Sequence, residues 1–239
     1  MSLPARITTL IVAFLAVVGL GVFVVVRLLL DSSPAAVNFT SDHAAGQSVN
    51  MTIMTAPVND ESSTPGWVSY FVRSPQTGKW LKSTVWELPA NTRINVTAYE
   101  FDTCDPLRNQ FWGKVTGTVG DVEYVSGEAD GVNGKVSLVN SDKTCGVAHT
   151  FTVPDLGINV PFEGVLYAAS KQCGFPGRPA PCSLSDTHVV THFSFITPKT
   201  TGDYRWQCFI PCGLASLDGN GHAMQTEGAM SGFLDVVRA

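Results

Sequence analysis

Between residues 208 and 230 the chain carries two cysteines, one histidine and two methionines: Cys208, Cys212, His222, Met224 and Met230. Thiolate, imidazole and thioether form a soft donor set, the kind that favours copper. A metal-free alternative uses the same residues, with Cys208 and Cys212 paired as a disulfide, as an oxidising compartment would promote. The composition of the loop leaves both open.

The flanks of this loop are strands by pattern. Residues 204–208 alternate apolar and polar, and 233–237 read as the last strand of the chain. Upstream, 67–73, 84–88, 93–101, 111–119 and 136–139 are short runs rich in β-branched and aromatic residues. Breakers such as Pro75-Gln76-Thr77-Gly78, Pro89-Ala90-Asn91 and Asn133-Gly134 separate them. In 92–98, Ile94, Val96 and Ala98 share one face, opposite Arg93, Asn95 and Thr97. In 187–195, Val189, Thr191, Phe193 and Phe195 form the core face, which turns His188 and His192 to solvent. No stretch after residue 31 sustains a helical apolar period. The expectation is an all-β sandwich.

The N-terminus is different. Residues 7–26 form an uncharged run of 20, enough to cross a bilayer core. Arg6 precedes it, and Arg27 near its far end can snorkel to the interface. By the positive-inside rule the rest of the chain lies outside the cytoplasm. The run is longer than the apolar core of a cleaved signal peptide, and Pro34-Ala35-Ala36 is a poor cleavage site. The expected organisation is a single-pass cell-membrane anchor (1–30), a polar stalk with a first strand near 49–55 (31–65), and a β-domain (66–239).

Six cysteines in an exported domain imply oxidising surroundings. Cys173 and Cys182 bracket a Pro-rich loop that a disulfide would close, and Cys104 with Cys145 is a second possible pair. Three Asn-x-Thr triplets, at Asn38, Asn50 and Asn95, read as unmodified surface asparagines. The formal net charge of −5, without a basic stripe, argues against a nucleic-acid partner. Elbow, phosphate-loop and metalloprotease motifs are absent, so an independent hydrolase is not expected.

The loop from Cys208 to Met230 resembles the ligand loop of the dinuclear copper site (CuA) of cytochrome c oxidase subunit II, within the cupredoxin superfamily. Val147-Ala148-His149-Thr150-Phe151, Ile158-Asn159-Val160 and the turn Thr197-Pro198-Lys199-Thr200-Thr201-Gly202-Asp203-Tyr204 resemble that family too. The resemblance implies a cupredoxin-like Greek-key β-sandwich and copper, dinuclear or mononuclear. It places the first histidine ligand at His149 and the bridging thiolates at Cys208 and Cys212. The loop is lengthened, with Ser216 where the family has its second histidine. His222 is then the remaining imidazole in the loop, and Met224 and Met230 compete for the thioether position. The implied role is a membrane-anchored single-electron carrier or a subunit II-like part of a terminal oxidase. Its partners would be a redox protein or the oxidase's catalytic subunits. The alternative is a metal-free structural subunit on the same fold.

Overall fold

The apolar N-terminal run forms α1 (Leu3–Asp31). Its stretch Arg6–Val24 is long and apolar enough to cross a membrane, and none of it is buried against protein. Met1–Pro34 is one compact unit and Ala35–Ala239 a second. The structure, a computed structural model, describes residues 3–31, 35–41, 44, 46–57, 68–104, 107, 109–127, 133–139, 145–165, 173, 181–212 and 222–238.

The second unit folds into two mixed sheets. One contains β1 (Val37–Asn38), β5 (Val85–Pro89), β13 (Ser231–Val237), β12 (Gly202–Gln207), β9 (Val147–Val153) and β10 (Ile158–Glu163), in that order. The other runs β4 (Trp80–Leu81), β3 (Ser69–Arg73), β2 (Val49–Ala56), β6 (Arg93–Glu100), β11 (Val189–Ile196), β7 (Glu123–Gly127) and β8 (Gly134–Val136). Neighbours run antiparallel except β1 with β5, β5 with β13, and β2 with β6. Such parallel contacts need crossovers from sheet to sheet, so consecutive strands are shared between the layers.

Alternation decides which side chains meet between the layers. Ile94, Val96 and Ala98 of β6 are buried, as are Val189, Thr191, Phe193 and Phe195 of β11, while His192 is exposed. From the facing sheet come Trp86, Phe151, Trp206 and Leu234, all fully buried. Trp206 lies 4.8 Å from Trp86 in a stacked pair and 4.7 Å from Tyr70 edge-on. Each indole N–H still has an acceptor: Trp206 donates to the Thr84 carbonyl and Trp86 to the Ser83 carbonyl. These rings therefore bury area without orphaning a donor.

The sequence pattern reads β2, β5, β6 and β11 closely, but of the expected strand 136–139 only Val136 falls within β8. Residues 111–119 do not form a strand. Gln110–Gly113 is a 3-10 turn, and isolated bridges follow at Lys114 and Thr116. Gly117 explains the break, with φ +71 and the Gly157 carbonyl oxygen 2.7 Å from where a Cβ would stand. The polar lead-in to the domain also takes part in the sheets. Val37 and Phe39 are buried, and β2 lies between β3 and β6. His43 falls outside the described residues.

Candidate metal centre

Strand β9 is buried along its whole length, between β12 and β10. Its pairing with β10 is regular up to His149 opposite Phe162. There the register shifts, so that Glu163 faces Val147 and Ala148 is skipped. A bulge of this kind bends the strand and re-aims the neighbouring side chain. Cys208 follows directly on β12, whose last residue, Gln207, pairs with Thr152 of β9. The Cys208 N–H donates to the Met230 carbonyl at 2.9 Å, tying the start of the loop to its end.

These constraints bring three soft donors together. His149, Cys208 and Cys212 are buried, and their ligand atoms all lie within 4.8 Å of one another. The two sulfurs are 3.8 Å apart and unbonded. Nδ1 of His149 faces Cys208 Sγ at 3.8 Å, and Nε2 faces Asp102 Oδ2 at 3.2 Å. The backbone N–H of Thr150 donates to Cys208 Sγ at 3.4 Å, and the Phe209 N–H donates to Thr150 Oγ1 at 2.9 Å. Both other cysteine pairs are disulfides, Cys104 with Cys145 and Cys173 with Cys182.

The other expected ligands are less sharply placed. Met224 and Met230 are buried in the same apolar cluster as Cys208 and Cys212. His222 opens the 3-10 turn His222–Gln225; its side chain, like residues 213–221, lies outside the described part. His188 is half-buried, its Nδ1 2.7 Å from the Asp186 carbonyl and its ring packed on Tyr99 and Phe101, so it belongs to packing.

Electrostatics favour a charge-separated cluster. Burial works against the charged form of His149. The charge of Glu100, the Asp102 hydrogen bond and the contact with Cys208 outweigh it, and the pKa stands well above the usual imidazole value. Burial likewise opposes ionisation of Cys208, yet hydrogen bonds from Cys212, His149 and the Thr150 N–H hold its pKa well below the ordinary thiol range. Cys212 moves the opposite way, because its proton is held in the hydrogen bond to Cys208 and because it is buried. Together these shifts favour a proton on His149 and on Cys212 over one on Cys208. Metal binding would release protons from the cluster.

Three neighbours of the site carry weight that the sequence patterns did not reveal. Glu100 is fully buried, and burial raises its pKa to about 7. The alternation of Ile94, Val96 and Ala98 already puts position 100 on the core face, so this glutamate was findable. Asp102 reads in the sequence as one carboxylate among many in turns, and no local pattern ties it to His149. Tyr70 is buried with its hydroxyl donating to the Thr150 carbonyl at 3.1 Å, directly behind Cys208.

The chain is thus a two-layer β-sandwich with this donor set buried in it. No protein-family model and no curated protein matches the chain. Among solved structures it is similar to rusticyanin, described as a copper protein, at 13% identity over 90% of this chain and 94% of that one, TM-score 0.29. Rusticyanin from Thiobacillus ferrooxidans gives 13% identity over 89% and 92% of the two chains, TM-score 0.29. Reduced rusticyanin gives 15% over 89% and 94%, TM-score 0.30. Likeness at this level carries no weight for the site, which stands on its own geometry.

Proposed function

We propose that this chain is a membrane-anchored, extracytoplasmic copper protein that passes single electrons. The observation that carries the reading is the meeting of two unbonded, buried sulfurs with the Nδ1 of His149. The donor set fits copper: thiolate and imidazole are soft to borderline ligands, and all three residues are buried. Copper held there supplies a one-electron couple. The chain's own contribution is a rigid cage. β9 fixes the imidazole, Cys208 follows directly on β12, and its N–H is held by the Met230 carbonyl. Such preorganisation limits the rearrangement that accompanies a change of charge. More finely, the Cys-x3-Cys spacing and the upstream histidine support a role like that of subunit II in a respiratory terminal oxidase. The partners would then be a redox protein and the oxidase's catalytic subunits, with no nucleic acid involved.

The location rests on two features. The apolar stretch of α1 is preceded by Arg6, and the two disulfides suit an oxidising compartment. Protease added to spheroplasts should digest the β-domain; full protection overturns the topology.

The test of function is metal content and spectroscopy on the full chain purified in detergent. Copper bound at one or two equivalents, with thiolate-to-copper absorption in the visible range, is expected. Electron paramagnetic resonance then separates hyperfine coupling to one nucleus from coupling to two. Protein that takes up zinc alone, or no metal, overturns the reading and leaves a structural subunit on this fold.

A further inference from the structure

Asp102 is held more firmly than a carboxylate in a turn requires. Oδ1 accepts the Thr103 N–H at 2.7 Å, which leaves Oδ2 for Nε2 of His149 at 3.2 Å. Its own N–H donates to Glu100 Oε1 at 2.8 Å, and its carbonyl accepts the Val165 N–H at 2.8 Å. Thr103 bridges to Val165 beyond the end of β10. The next residue, Cys104, is bonded to Cys145, which lies four residues before His149. The turn that carries the carboxylate is thus stapled to the start of the strand that carries the imidazole.

We propose that Asp102 is a positioning residue for His149, fixing the proton on Nε2 so that Nδ1 presents its lone pair to the two sulfurs. The proposal rests on the copper reading for its metal-binding consequence, but its geometric content does not need a metal. An imidazole has two ring nitrogens, and the partner of one decides which tautomer the other shows. Once the ring gives up its second proton, as ligation requires, Nε2–H held by Asp102 leaves Nδ1 as the bare nitrogen, on the side where Cys208 Sγ lies 3.8 Å away. Without Asp102 nothing in the described contacts selects this tautomer, and the ring is free to place its proton on Nδ1, facing the sulfurs. Carboxylates that orient ligating histidines do this in metal sites generally, and their loss typically costs about 10–100-fold in affinity.

The experiment compares wild type, Asp102→Ala and Asp102→Asn as full chains in detergent. Nitrogen-15 imidazole spectra of the metal-free proteins, recorded at a pH where the His149 ring is neutral, report which nitrogen bears the proton. Wild type should show Nε2–H alone. Asp102→Ala should show a mixture, and Asp102→Asn should restore Nε2–H in part, because its single amide oxygen serves the ring only by giving up the Thr103 N–H. Copper(I) affinity, measured by competition with a chelator, should fall about 10–100-fold in Asp102→Ala and recover in part in Asp102→Asn. An unchanged tautomer in Asp102→Ala overturns the proposal. If wild type itself binds no copper, the copper reading falls, and the tautomer measurement still decides the role of Asp102.

Discussion

The backbone N–H of Thr150 points at Cys208 Sγ, 3.4 Å away, across the seam between β9 and β12. Strand β9 therefore serves the site twice, with the His149 ring and with the next peptide N–H. A donor aimed at a thiolate lowers its pKa and withdraws charge from sulfur, which in a copper site tunes the potential.

Thiol counting offers the first prediction. Denatured, unreduced and metal-stripped protein should titrate two thiols, Cys208 and Cys212, with the other four cysteines bonded. Cys208→Ser and Cys212→Ser should each weaken copper binding at least tenfold, about 1.4 kcal/mol, in a chelator competition. A count of zero would mean the two sulfurs are joined, and the metal site would be lost with them.

The second concerns the ring stack beneath the site. Trp206 is fully buried against Trp86, Tyr70 and Phe151. Trp206→Ala should lower stability by about 3–5 kcal/mol, read as a shift of the denaturant midpoint at constant slope. Trp206→Phe should cost less, and would separate the area of the ring from its hydrogen bond to the Thr84 carbonyl.

Gly232 provides the third. It pairs with Trp206 in β13, and a Cβ there would run into the backbone carbonyl of Thr84. The Phe233 N–H donates to that same carbonyl at 2.9 Å, so the backbone has little room to yield. Gly232→Ala should destabilise by about 1–3 kcal/mol through overpacking. A thermal or chemical melt indistinguishable from wild type would contradict this close approach.

The fourth is a pH dependence that does not involve the metal ligands. Glu123 and Glu163 are buried with carboxylate oxygens that find no hydrogen-bond partner among the described residues. Burial raises Glu163 to about 7, and burial together with the charge of Glu163 raises Glu123 well above its usual value. A carboxyl with a raised folded pKa keeps its proton in the native state while the unfolded chain loses it. Between its unfolded value of 4.5 and about 7, stability should therefore fall as pH rises. The limiting slope is about 1.4 kcal/mol per pH unit for each such group. Subtracting the melt of Glu163→Gln from that of wild type at each pH isolates the share of Glu163. A difference that stays flat across this window would place its pKa at the ordinary value.

Much of this protein is written locally. The uncharged run of α1, the alternation in β6 and β11, and the Pro-rich loop between Cys173 and Cys182 each depend on neighbours a few residues apart. Physical chemistry at that range is set by periodicity, turn residues and loop closure, so the sequence alone determined them. The candidate ligands Cys208 and Cys212 were legible too, through their type and spacing, while His149 came from the resemblance of its local motif to a known family.

The tertiary structure decided the rest, because it depended on contacts between distant segments. Whether Cys208 and Cys212 bond is not a matter of their four-residue separation. The hydrogen bonds from Cys208 to Met230 and from Thr150 to Cys208 set where each sulfur stands. Which nitrogen of His149 faces them follows from Asp102, 47 residues away in sequence. The break at 111–119 has the same origin, since Gly117 is closed against the carbonyl of Gly157, a residue that alternation along its own segment cannot see. Composition names the donors, but only the packing of β9 against β12 and of the Asp102 turn against β9 aims them.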